Sequence, residues 1–265
     1  MADARGHSFD MQPVYVLKVR RSTAYPCREM IFVVYREEVV TSFSCGTPKR
    51  HSLHFRYREV ESPYSRHDGG TFEAYYEPSY RGRACDDRIS LTGGSVMIPH
   101  VKHRGIHLGT YFMNQVVAWA RQWPDVMVNP IYISPVDGYE ENRERRNRFY
   151  EQFGLVFNYT DAGRGSGYSV SIPSGLLNLT GAWRCTITEC LLEDYLGAAL
   201  CENEQLTFDL QMARDSSARW VDELSRAEAH PLVWGMRTFI RTVFEKYGLI
   251  IIVLVFCYAI CLRYF

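Results

Sequence analysis

The stretch Val101-Lys-His-Arg-Gly-Ile-His-Leu-Gly109 marks a change of period in the chain. Before it, apolar residues come in short runs of strand type: Val14 to Val19, Met30 to Tyr35, Val39 to Cys45, Thr71 to Tyr76, and Arg88 to Ile98 with Gly93-Gly94 as an interruption. Polar, turn-rich segments separate these runs, and together they predict an antiparallel meander. After it, Leu108, Phe112, Met113, Val116, Val117 and Ala120 recur at helical spacing until Trp123-Pro124. The junction therefore reads as strand, glycine turn, helix. A turn of this kind leaves the first backbone N–H groups of the helix without partners, and the helix dipole adds partial positive charge there, so an anion such as a pyrophosphate can dock on backbone alone.

The alternation continues downstream. Asn129 to Ser134 reads as a buried strand. Arg143 to Phe153 reads as a second helix, stopped by Gly154. Leu155 to Tyr159 and Tyr168 to Ile172 read as strands around Gly163, Gly165 and Gly167. The order predicts a mixed α/β fold with a mostly antiparallel sheet, flanking helices and one ligand-binding crossover.

Beyond Pro173 the texture changes. Helical sequence with mixed charge is expected from about Ile187 to Lys246, with a break at Pro231. Tyr247 to Leu262 then carries no charge at all. At sixteen residues it is at the short edge of what crosses a bilayer, where about 20 are typical. A buried core helix is the alternative, but so apolar a run favours a span. Arg237, Arg241 and Lys246 precede it and Arg263 alone follows, which by the positive-inside rule leaves the bulk of the chain in the cytoplasm as a tail-anchored protein. The expected organisation is a flexible tail at 1–11, a folded domain at 12–173, a helical stalk at 174–246, a membrane helix at 247–262 and a short tail at 263–265.

A formal net charge of zero argues against a general nucleic-acid binder. The eight cysteines form no CxxC pair and read as reduced thiols, with Cys257 and Cys261 in the apolar run. The opening residues have no apolar core and are no signal peptide.

Arg104-Gly-Ile-His-Leu-Gly109 and Arg146-Asn-Arg-Phe-Tyr-Glu-Gln-Phe-Gly-Leu155, in this order of elements, resemble the GNAT superfamily of acyl-CoA N-acyltransferases across roughly residues 12–173. The family pattern is V-x-P-x-x-R-G-x-G-x-G/A at a strand end followed by a helix. Here it runs from Val96 through Gly109, and Arg104, Gly105 and Gly109 match. His107 stands where the family has its middle glycine, a place that a non-glycine fills with a negative φ and its side chain turned away. The resemblance implies acyl transfer, most simply of acetyl, from acyl-CoA to an amine by direct attack, with no metal. It implies cofactor contacts from the splayed strand end at Val96, Met97 and Ile98, and from Lys102, His103, Arg104, Gly105, His107, Leu108, Gly109 and Thr110 around the pyrophosphate. Tyr150 aligns with the family's tyrosine that protonates the leaving thiolate, a role a nearby phenol can fill.

Each of these positions also has a plainer reading. Tyr150 can be a packed aromatic beside Phe149 and Phe153. A general base is least legible: Glu73 is the candidate, with Asp86 and Asp87 behind it, and a surface carboxylate is the alternative. His103 and His107, at i and i+4, have metal-ligand spacing but no third ligand fixed nearby. Arg143, Arg145, Arg146 and Arg148 are interleaved with glutamates and read as a solvated helix face, or as a grip on RNA or the CoA 3′-phosphate. The amine acceptor is open, a homodimer is compatible, and the membrane is the third expected partner. The competing functional class is a non-catalytic or CoA-binding effector or toxin module acting through its membrane helix.

Overall fold

A computed structural model describes residues 8–9, 14–20, 29–60, 69–79, 87–93, 98–137 and 140–264, the last sixteen of them by backbone alone. The chain divides into two compact units, Met1–Leu196 and Gly197–Phe265.

The first unit is built on the expected meander. Strand β1 (Ser8–Phe9) pairs with β3, and β2 (Val14–Arg20), β3 (Glu29–Ser42), β4 (Pro48–Glu59) and β5 (Gly69–Glu77) follow as antiparallel neighbours. Alternation over much of their length makes them two-faced. In β4, Leu53, Phe55 and Tyr57 are buried while Arg56 and Arg58 are exposed. The register sets Phe55 opposite Phe72 and Leu53 opposite Ala74, which puts all four on one face. Helix α1 (Leu108–Ala120) covers that face with its apolar side. Phe112 stacks on both Tyr57 and Phe72, at 5.0 and 4.8 Å between ring centres, and all three rings are almost fully buried.

The next two strands end the antiparallel run. β6 (Arg88–Ser90) pairs antiparallel with β5, and β7 (Met127–Val128) pairs with β6 in parallel. The chain then crosses into a second sheet, in which β10 (Gly167–Ser169) lies between β8 (Tyr132–Ile133) and β9 (Phe157–Tyr159). Helix α2 (Glu140–Glu151) fills the connection from β8 to β9. The fold is therefore mixed α/β with a mostly antiparallel sheet.

One boundary differs from the sequence reading. Ile187–Leu191, expected to begin the helical stalk, forms strand β11 and adds to β2, with Ile187 opposite Val19 and Leu191 opposite Tyr15. The sheet thus draws in chain well past residue 173. Tertiary pairing overrides the helical look of this short segment, whose Ile187, Thr188 and Cys190 suit a strand equally well.

Helices α3 (Leu192–Ala229) and α4 (Pro231–Tyr264) complete the chain, broken at His230-Pro231 as expected for a residue that cannot continue the backbone ladder. Among the described residues no helix is long and apolar enough to cross a membrane. The expected span at 247–262 lies almost wholly outside the residues whose side chains are described.

Candidate functional site

The parallel pair β6–β7 is short, and its end creates a cleft. The last ladder partners are Ile89 and Val128. The Asn129 amide then donates to the Ile89 carbonyl at 2.7 Å, and the Asn129 side-chain amide donates to Ser90 Oγ at 2.9 Å. Past this clasp the two strands part. Pro130 to Ile133 leave to join the second sheet, where Tyr132 pairs with Tyr168. Leu91 and Thr92 follow β6 without a ladder partner of their own. Between them opens a cleft of about 980 Å³, with Ser90, Leu91 and Thr92 on one wall and Asn129 to Ile133 on the other. The volume suits a large organic ligand.

The N-terminus of α1 opens into this cleft: Leu108, Gly109 and Thr110 line it, together with His103, Arg104, Gly105 and His107. The first helical bond is from the Tyr111 amide to the His107 carbonyl at 2.9 Å, so the amides of the first turn have no acceptor within the helix. The N-cap residue His107 makes no side-chain capping bond to them. The result is a row of backbone donors at the positive end of a 13-residue helix, aimed at the cleft. Gly109 leaves room there. A Cβ at that position would make ordinary contacts with Phe149 and Ile98 at 3.6 and 3.8 Å.

The turn into the helix is left-handed at two places. Gly105 has φ of 78°, which glycine adopts without penalty. His107 has φ of 61°, and here the expectation of a negative φ at this position is overturned. The backbone keeps the path that glycine would take, and the imidazole accepts the strain. Histidine is among the few side chains found in this region with any frequency. Strain of this kind persists where surrounding structure holds it and marks candidate functional turns.

Helix α2 supplies the opposite wall. Tyr150 and Phe149 both line the cleft, and Tyr150 is buried, with its ring 5.6 Å from that of Phe157. Arg145, Arg146 and Arg148 line it too. Arg146 is fixed by the Ser134 carbonyl at 2.6 Å and the Gly165 carbonyl at 2.8 Å. The loop that offers Gly165 is itself rigid. Asp161 accepts from the amides of Gly165 and Ser166 and from the Ser166 hydroxyl, and these bonds hold its carboxyl down at about 2. With Arg104, held by the Ile98 carbonyl at 3.2 Å, the arginines give the cleft a positive field. Arg148 also pairs with Glu144 at 2.8 Å and Arg145 with Asn142, both on the exposed side of α2, as a solvated face would have it. Arg143, which bonds the Gly163 carbonyl at 3.0 Å, serves the loop.

The remaining predicted residues fall in different places. Ile98 lines the cleft, but Val96 and Met97 lie outside the described residues, and the strand edge that splays is Ser90 to Thr92. Lys102 does not line the cleft. It reaches Glu59 Oε2 at 2.9 Å. Glu73 is not in the cleft either. It sits on the β5 face opposite Phe72 and Ala74, accepting from the Tyr75 hydroxyl at 2.5 Å with His54 Nδ1 at 3.6 Å. Glu73 therefore stands outside the cleft lining. Asp87 is occupied by the Tyr76 hydroxyl at 2.8 Å and the Ser79 amide at 2.7 Å, and Asp86 lies outside the described residues.

One group at the cleft was not singled out from sequence. Glu59, at the end of β4, is buried and shares Oε2 between Lys102 and His103 Nε2, the latter at 2.7 Å. Burial opposes its charge, but the hydrogen bonds and charges of His103 and Lys102 outweigh this and hold its carboxyl below the ordinary 4.5. His103 is wholly buried against the edges of Phe32 and Tyr57, and its Nδ1 finds no partner. The group ties the turn before α1 to the central sheet and so positions the row of amides. The alternation 53, 55, 57, 59 on the inner face of β4 was the signal that could have found it. His103 and His107 are thereby separated in role, and among the described residues no group of three or more metal-ligating side chains comes together. Comparison with family models, with curated proteins and with solved structures finds no match for this chain.

Proposed function

We propose that the first unit is an acyl-CoA-dependent N-acyltransferase, most simply an acetyltransferase, and that the C-terminal apolar run anchors it to a membrane. The observation that carries the reading is the parting of β6 and β7 directly beneath the uncapped N-terminus of α1. A parted pair of parallel strands offers an extended ligand a backbone edge on which to lie. The helix end offers its phosphates amide donors. An extended amide-bearing arm that ends in a pyrophosphate matches both at once, and Arg104, Arg145 and Arg148 add charge for a further phosphate.

In this reading the amine attacks the thioester carbonyl, the C–N bond forms and the C–S bond breaks. The phenol of Tyr150 gives its proton to the departing thiolate, and the proton lost by the amine passes to solvent water. Positioning contributes much of the acceleration. Calorimetry of the full-length chain in detergent tests the reading, with acetyl-CoA and free CoA as titrants. Micromolar binding is expected, with stabilisation by about 2.7 kcal/mol at a hundredfold excess over the Kd. Gly109→Glu should abolish it by placing a carboxylate among the amides. Binding without transfer to any amine would favour the competing reading, a CoA-binding module that acts through its C-terminal helix. No binding of either titrant would overturn both.

A further inference from the structure

Helix α3 is 38 residues long, and none of its side chains is buried. Yet it carries a row of large apolar side chains, spaced by Ala199, Asn203, Ala213, Ser217 and Ala227. Leu196, Leu206, Leu210, Trp220 and Leu224 are each between 51% and 65% exposed. Their spacing, filled in by smaller residues, alternates threes and fours from Leu196 to Ala227, which is a heptad seam sustained for more than four repeats. A helix with such a seam is marginal alone in water and gains its stability by covering the stripe.

The seam is complementary to itself in one orientation. About a two-fold axis between Gln211 and Met212, running antiparallel, Leu196 faces Ala227, Ala199 faces Leu224, Asn203 faces Trp220, Leu206 faces Ser217 and Leu210 faces Ala213. Every large side chain meets a small or short one along the whole length. Leu200 and Val221, both exposed, then meet beside the seam and widen it. A parallel, in-register pair would instead stack Trp220 on Trp220 and Ala213 on Ala213, alternating crowding with voids. We propose that α3 pairs antiparallel with α3 of a second copy of this chain, making the protein a two-fold dimer through this helix. The contact is isologous, so it closes at two copies. Ten large seam side chains per pair, at roughly 100 Å² each, bring the interface near the ~1,200 Å² at which specific association begins. Glu202 would lie near Glu223 of the second copy, so the dimer should tighten as salt rises. This inference does not depend on the acyl-CoA reading.

The test is the mass of the full-length chain in detergent by light scattering, together with distances between spin labels at residue 225 in a Ser225→Cys chain whose native cysteines are replaced by alanine or serine. A dimer is expected. The label-to-label distance should be about 40 Å, because residue 225 of one strand lies beside residue 198 of the other, at 1.5 Å of rise per residue. Leu206→Glu with Leu210→Glu should give a monomer. A monomeric native chain would overturn the proposal. So would a dimer that survives both substitutions, or a label distance near 10–15 Å, which is that of a parallel pair.

Discussion

At the residue scale, three side chains around the cleft carry separable expectations. Tyr150→Phe removes a hydroxyl and keeps a buried ring. As general acid, Tyr150 should contribute about 10²-fold to turnover and nothing to CoA affinity, so steady-state kinetics and calorimetry on the same variant should diverge. Equal losses in both would make it a packing residue. Glu59 makes a prediction in pH. Its folded pKa is depressed below 4.5, so its stabilisation is present above that value and is lost as pH falls through the folded pKa. Glu59→Gln should cost about 1–3 kcal/mol at neutral pH and flatten the acid side of the melting-temperature profile. A parallel profile would mean that the carboxylate is not coupled to folding. His107 sits at φ of 61°, and a β-branched residue cannot hold that conformation without strain. His107→Val should therefore lose about 1–2 kcal/mol of stability, while His107→Gly stays within about 1 kcal/mol of the native chain in urea unfolding. The sequence shows a histidine in this turn, but backbone sign depends on what surrounds the turn. Here that includes the Glu59 anchor, which comes from 44 residues upstream of His103.

At the element scale, α1 joins fold to site, because one helix buries the sheet face along its length and presents amides at its start. Phe112 lies between Tyr57 and Phe72. Phe112→Ala should cost about 3–5 kcal/mol in chemical unfolding. A loss under about 1 kcal/mol would mean that the three rings do not pack as a stack. Elements with strong periodicity were legible from sequence: the meander strands and α1 follow directly from alternation and from the 3.6-residue repeat. Elements defined by a distant partner were not. β11 is five residues long and runs straight into α3, and only its pairing with β2, some 170 positions away, makes it a strand. The end of the β6–β7 ladder was hidden for the same reason: it lies at Ser90, where the Asn129 side chain donates to Ser90 Oγ, and only the pairing of residues some forty positions apart reveals it.

At the scale of the whole molecule, the zero net charge conceals a strong division along the chain, because all charge stops short of Tyr247 to Leu262. The backbone of α4 continues as helix through this run to Tyr264, so its peptide groups satisfy one another without water. An apolar helix of this kind in water would expose nearly all its surface to the cost that drives burial elsewhere in the chain. In the proposed reading, membrane insertion would remove that cost, with Arg237, Arg241 and Lys246 as the cytoplasmic flank. The full-length chain should therefore sediment with membranes and resist carbonate extraction, whereas a chain ending at Lys246 should remain in the supernatant. Replacing both Ile252 and Val255 by arginine should release the full-length chain, since each arginine near the bilayer centre costs about 2.5–3.5 kcal/mol on insertion scales. Orientation has its own check. In sealed vesicles with the cytoplasmic face inside, added protease should leave residues 14–196 intact, because the proposed orientation encloses them. Digestion of that unit would reverse the orientation and remove it from the compartment in which acyl-CoA is available. A native chain that carbonate extracts would identify the run as a helix covered by protein, and the anchor would be abandoned while the cleft and its ligand remained to be tested on their own.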